Sequence, residues 1–137
     1  MIELCKAYNI PHYVLYDSDS SHKDKKKSTA ENAAKTNGRI FNQLEIENPD
    51  GYLTENIEGE NYTVWQEDIR TAVLAATPSF EKHLTEAEAI YKCGWKNPKL
   101  VYSAVRQCAE HEKMEPLLSM IANILKHANS EVFNATG

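Results

Sequence analysis

The first apolar positions of the chain, Ile2, Leu4, Cys5 and Tyr8, fall at helical spacing, and Asn9-Ile10-Pro11 interrupts the run, so the pattern predicts a short helix over 2–8. His12-Tyr13-Val14-Leu15-Tyr16 is rich in β-formers and too short for a helix; it predicts a buried strand with Asp17 at its C-terminal edge. Residues 17–27 are polar and aperiodic. Ser28 and Glu31 offer a capping box, which predicts a helix starting at Ser28 or Thr29. That helix runs through Ile40, Phe41 and Leu44 to near Glu47, with Gly38 as a weak point, until Asn48-Pro49-Asp50-Gly51 forces a turn.

Between Tyr52 and Ile69 the pattern is mixed: Tyr52-Leu53, Ile57 and Tyr62-Thr63-Val64-Trp65 suit short strands or loop anchors, separated by Glu55, Glu58 and Glu60. Thr71-Ala72-Val73-Leu74-Ala75-Ala76 reads as a further buried strand, stopped by Thr77-Pro78-Ser79, with a helix from Phe80 to Cys93 ending at Gly94. Pro98 opens a helix carrying Val101, Tyr102, Val105, Cys108 and Ala109, and Pro116 another carrying Leu117, Met120, Ile121, Ile124 and Leu125. Helices alternating with strands imply an α/β sheet flanked by helices, with a helical C-terminal part. The expected division is a sheet-bearing domain over 1–95 and a helical extension over 96–137 packed on it.

Composition supports a folded chain, since 42% of the 137 residues are apolar and 26% charged. No run approaches the roughly 20 apolar residues of a membrane helix, and the N-terminus lacks a secretory design, so the expectation is a soluble, cytoplasmic protein without a membrane partner. Cys5, Cys93 and Cys108 have no metal-ligand spacing and are expected as buried free thiols. The net charge of −5 argues against holding nucleic acid by global electrostatics, so a grip on phosphate must be local. His22, Lys23, Lys25, Lys26 and Lys27 form one local candidate, with a solvated loop as the plain alternative.

Chemistry concentrates where the first strand ends. In an open α/β sheet, ligands collect at the C-terminal strand edges, where side chains converge without being covered by helices. Asp17 and Asp19, two carboxylates at i and i+2, can turn toward one hard cation such as Mg²⁺ or Mn²⁺, and a third carboxylate from another strand end would complete an oxygen-rich site. Glu81, with Ser79 beside it, follows the strand expected at 72–76 and is the candidate third ligand; its plain alternative is a favourable charge in the first turn of a helix. Such cations activate water and stabilise charge on a phosphodiester, to which a nearby lysine can add. His83 reads as a surface residue, and His12, His111 and His127 have no partner at ligand spacing.

The segment Ile10-Pro11-His12-Tyr13-Val14-Leu15-Tyr16-Asp17-Ser18-Asp19, followed by a polar loop and a helix with Asn32, resembles the DxD segment of Toprim domains, and more narrowly the Toprim part of OLD-family (overcoming lysogenization defect) nucleases. In that family the DxD aspartates bind metal, and a later strand ends with a Ser or Asp two residues before a Glu. Ala72 to Ala76 followed by Ser79-Phe80-Glu81 is similar to that second motif, and Lys96 in Lys96-Asn97-Pro98-Lys99 is the nearest counterpart of a basic residue further on, with Lys99 second. Over residues 1 to 95 the resemblance implies a Toprim-like endonuclease with a two-metal Mg²⁺ or Mn²⁺ site cleaving DNA in preference to RNA. It also implies an upstream ATPase domain and a homodimer as partners.

One departure matters. A Toprim domain begins with a strand bearing a glutamate ahead of the helix of residues 2–8, and neither that strand nor a Walker A sequence is present. The expectation is therefore a C-terminal fragment with an artificial start at Met1, weak or inactive alone. Two other readings compete. In a haloacid-dehalogenase-type phosphatase Asp17 is the nucleophile and Asp19 the general acid, with Ser21 downstream but no distal acidic pair. In a non-catalytic accessory or dimerisation module the two aspartates merely cap a turn.

Overall fold

The computed structural model describes residues 1–94, 97–111 and 114–135, and the side chains of all of these but 111 and 130–135. Helix accounts for 62% of the structure against three short strands, which makes the fold mixed α/β with helices flanking a small sheet. The elements run α1 (Ile2–Ala7), β1 (Val14–Asp17), a 3₁₀ turn (Ser20–Asp24), α2 (Lys27–Gln43), β2 (Ile57–Glu58), β3 (Tyr62–Trp65), α3 (Ile69–Ala76), α4 (Ser79–Tyr91), α5 (Pro98–His111) and α6 (Glu115–Ala135). They group into two compact units, Met1–Asp68 with Met120–Gly137, and Ile69–Ser119; the boundary expected at 95 falls inside the second.

In the first unit the sheet order is β1-β3-β2. β1 and β3 are parallel, Val14 opposite Tyr62 and Asp17 opposite Trp65, while β2 runs antiparallel to β3. Parallel neighbours need a crossover, and α2 supplies it. Phe41 on its apolar side and Leu44 just past its end pack with Val64 and Leu53, with Val14, Tyr16, Ile2 and Ile46 around them. On the C-terminal part of the chain, Asn123 Nδ2 donates to Glu58 Oε2 at 2.9 Å, and the His127 ring meets Tyr13 edge-on. The Tyr13 hydroxyl shares a 2.9 Å hydrogen bond with buried Thr63.

The stops of α1 and α2 are backbone devices. After α1, Asn9 takes a left-handed conformation (φ 51°) and the Ile10 N–H reaches back to the Cys5 carbonyl, the six-to-one bond of a Schellman cap. After α2, Glu45 (φ 60°) does the same and the Ile46 N–H bonds the Phe41 carbonyl at 2.9 Å, so the helix stops at Gln43 and not near Glu47. The expected capping box does not form: α2 starts at Lys27, its N-cap is Lys26 without a side-chain bond, and Ser28 already lies within the helix.

The main correction concerns 71–76, expected as a strand. These residues are the body of α3, whose window begins two residues earlier than the apolar run. Ile69, Val73 and Leu74 face the core of the second unit while Thr71, Ala75 and Ala76 are exposed, a helical alternation, and three alanines favour that state. The Thr77 N–H continues the ladder to Val73 O at 2.7 Å before Pro78 ends it. Ser79 and Glu81 therefore begin α4 at a helix-to-helix corner, not a helix at the end of a strand. The helical reading of the rest of this unit agrees with the structure: Phe80, Leu84 and Ala87 of α4 pack with Leu100, Ala104 and Cys108 of α5. Cys108 is buried, whereas Cys5 and Cys93 are only half-buried thiols. Among the described residues no helix is long and apolar enough to cross a membrane.

Candidate functional site

Asp17 closes β1 and is exposed; Ser18, the next residue, is 1% exposed, and Asp19 is exposed again. Both aspartates line one cleft, while the hydroxyl between them turns inward to the Gln66 carbonyl. Asp19 holds a left-handed conformation (φ 47°, ψ 46°), which a short polar side chain tolerates better than most, and the chain then bends into the 3₁₀ turn.

The bend is tied to the neighbouring strand end. Ser18 N–H donates to Trp65 O at 3.0 Å and its hydroxyl to Gln66 O at 2.7 Å, while Asp19 N–H donates to Glu67 O at 3.2 Å and Ser20 N–H to Gln66 O at 2.8 Å. The Glu67 carboxylate accepts the Ser21 N–H. Ser18 and Ser20 share a hydroxyl pair at 2.8 Å, and Ser20 Oγ accepts the Leu53 N–H. The turn carrying the two aspartates is thus held from the C-terminal edge of β3.

The opposite wall belongs to α2. Thr29, Asn32, Ala33, Thr36 and Asn37 recur at i, i+3, i+4, i+7 and i+8, one polar or small face of the helix, and they line a cleft of about 350 Å³ together with Tyr16, Asp17, Ser18, Asp19 and His22. Asn37, 2% exposed, closes its floor: Nδ2 donates to Ser18 O at 2.7 Å and Gly51 O at 2.8 Å, and Oδ1 accepts the Tyr16 hydroxyl at 2.7 Å. Gly51 stands at φ 71° with no room for a side chain, since a Cβ there would lie 2.5 Å from Ala34 O. Burial, then the charges of Asp19 and Asp17, push the Tyr16 phenol above its usual pKa, so it remains a hydrogen-bond donor through the neutral range.

No family model matches the chain, and no curated protein or solved structure is significantly similar to it. The assignment of chemistry therefore rests on the residues themselves. Asp17 and Asp19 share one site. Ser79 and Glu81 belong to the second unit, where Ser79 Oγ lies 3.8 Å from Cys108 Sγ and exposed Glu81 lies 4.0 Å from an Arg70 nitrogen. Lys96 lies outside the described residues; Lys99 is an exposed residue in the first turn of α5. His83 is paired with Glu86 at 3.3 Å. The second unit also holds an apolar cavity of about 390 Å³ between Val73, Phe80, Leu84 and Val105, with Arg70 as its charged residue, a poor setting for a hard cation.

For a metal, the donor set is two carboxylates: among the described residues no three His, Cys, Asp or Glu side chains come together as a ligand group. Two are enough for Mg²⁺, which keeps several waters and is commonly held by one or two carboxylates with substrate phosphate oxygens completing its shell. Ser18, Asn37 and Glu67 escaped the sequence reading. The α2 face 29-32-33-36-37 was the available signal, a polar stripe where a solvent-facing helix side would ordinarily carry longer charged residues.

Proposed function

We propose that Asp17 and Asp19 bind Mg²⁺ or Mn²⁺ and that the chain takes part in metal-dependent hydrolysis of nucleic-acid phosphodiesters, DNA before RNA, as a Toprim-like part of an OLD-type nuclease. The observation that supports this reading is the convergence of both carboxylates on one open polar cleft at the C-terminal end of a parallel strand, with a helix crossover forming the opposite wall. When bound, the cation supplies Lewis-acid polarisation and an activated water.

The chain's own groups hold the geometry. Asn37 and the Ser18 hydroxyl fix the turn between the carboxylates, which limits the reorganisation a bound ion would demand. The Tyr16 phenol, kept protonated, donates to Asn37 and is unsuited to act as a general base near neutral pH.

The test is cleavage of labelled single- and double-stranded DNA by the full chain with Mn²⁺, compared with Asp17→Asn and Asp19→Asn. The expected loss is about 10²–10³-fold for either variant, the scale of removing one stabilising group from a reaction of this type. Cleavage that persists unchanged in both variants would overturn the proposal, as would a wild-type chain that neither cleaves DNA or RNA nor gains melting temperature with Mn²⁺. Turnover of a nitrophenyl phosphate with no action on nucleic acid would assign the pair to phosphatase chemistry instead.

A further inference from the structure

Four of the chain's fifteen Lys and Arg residues fall in five consecutive positions, Lys23, Lys25, Lys26 and Lys27, although the chain as a whole is acidic at −5. The structure gives this segment a place. It leaves the aspartate turn through the 3₁₀ helix Ser20–Asp24 and enters α2 at Lys27. His22 on one side of it and Thr29 on the other both line the cleft, so the backbone of this segment runs along the cleft's rim, although none of the four lysine side chains is among the lining residues. All four are exposed. Among the described residues their recorded charge contacts are weak: Lys27 lies 3.8 Å from exposed Glu31, and the Lys23 ammonium stands 5.9 Å from the centre of the Tyr52 ring. Asp24 is the one acidic residue within the segment.

A solvated loop needs no such arrangement. A strip of ammonium groups concentrated beside two carboxylates answers a specific electrostatic problem: a polyanion approaching Asp17 and Asp19 is repelled by them and by the acidic remainder of the chain. From the rim the surface then passes along α2 to the neutral side chains of Thr29 and Asn32, which can hydrogen-bond phosphate or sugar oxygens. We infer that Lys23, Lys25, Lys26 and Lys27 form the phosphate-backbone contact of this chain, holding the nucleic-acid strand on one side of the Asp17–Asp19 cleft. The inference rests on the proposed function for its choice of partner and extends it to residues that touch no metal.

Binding of a fluorescein-labelled thymidine oligonucleotide of about 16 nucleotides, enough to fill one single-strand site, is measured by anisotropy in EDTA. Removing free metal separates backbone contact from the carboxylate site. Four lysine–phosphate contacts on a single strand correspond to a slope of log affinity against log salt of about −3, or about 50-fold between 50 and 200 mM salt. The variant Lys23→Gln/Lys25→Gln/Lys26→Gln/Lys27→Gln is expected to lose most of that salt sensitivity, and Asp17→Asn/Asp19→Asn to bind at least as tightly as the wild type. Circular dichroism melts check that the exposed substitutions leave the fold intact, and Lys25→Glu/Lys26→Glu provides a second variant, expected to weaken binding further per site. Unchanged binding by the lysine variants, no binding by the wild type, or binding only to vesicles of phosphatidylserine and phosphatidylcholine would each overturn the inference. Failure of the metal reading has a different signature: oligonucleotide binding in EDTA remains while Mn²⁺ leaves the melting temperature unmoved.

Discussion

Ser18 and Asn37 are buried polar residues placed directly behind the two aspartates, and their position decides what the aspartates can do. Asn37 serves the Ser18 and Gly51 carbonyls and the Tyr16 hydroxyl; without it the two carbonyls, both on buried residues, would lose this partner at a cost of about 1–3 kcal/mol each. Tyr16 reports on the same neighbourhood. Its phenol is raised first by burial and then by Asp19 and Asp17, so neutralising both in Asp17→Asn/Asp19→Asn should move its titration back toward 10.0 without reaching it, since burial remains. The difference in phenolate absorbance between each protein and its Tyr16→Phe partner measures this; an unchanged Tyr16 titration would mean that the carboxylates do not face the ring. Because the unfolded chain releases this proton first, the associated stability is fully present below the ordinary pKa and is lost as pH rises from there through the raised value. At this scale the sequence was readable in part: an apolar run ending in two aspartates locates Asp17 and Asp19. Asn37 was not readable, because an asparagine within a helix looks like any surface residue until its partners 14 and 19 positions away are known.

The elements were most legible where composition and backbone preference agree. β1, although Leu15 is exposed where a buried strand was expected, the stop after α1 at Asn9, and the openings of α5 near Pro98 and α6 near Pro116 follow from signals a chain of any fold would carry. The end of α2 did not, because the left-handed C-cap falls on Glu45, where glycine or asparagine would have announced it. The misread run 71–76 has a general cause: six small and apolar residues carry no visible period, and Ile69, which completes the helical stripe with Val73, lies outside the run. The helical state makes a sharp prediction at exposed Ala75. Ala75→Gly should cost up to about 1 kcal/mol, and Ala75→Pro, which removes the Ala75 N–H and crowds the preceding turn, up to about 3 kcal/mol in a urea titration. A proline tolerated at that position would contradict α3. The correction removes the strand that was to present Ser79 and Glu81, and it shifts attention to β3, the strand parallel to β1, whose end supplies Gln66 and Glu67 as anchors for the aspartate turn.

For the whole molecule, the alternation of helix and strand patterns set the class correctly: a mixed α/β chain with helices around a small sheet. The grouping into two compact units was beyond it, since the second unit is stapled by apolar helix faces, Leu84 and Ala87 against Leu100 and Ala104, while the return of the last helix to Tyr13 and Glu58 depends on contacts between distant parts of the sequence. The net charge of −5, with the lysines gathered at the cleft rim, makes any nucleic-acid contact local and salt-sensitive. Everything proposed for the cleft depends on Asp17 and Asp19 together holding a divalent cation. Thermal melting of the full chain with and without Mn²⁺ tests it most directly, because an ion that binds only the folded state raises the melting temperature with concentration. A concentration-dependent rise in the wild-type chain that disappears in Asp17→Asn/Asp19→Asn is the predicted result; no rise, or an equal rise in the variant, would contradict it.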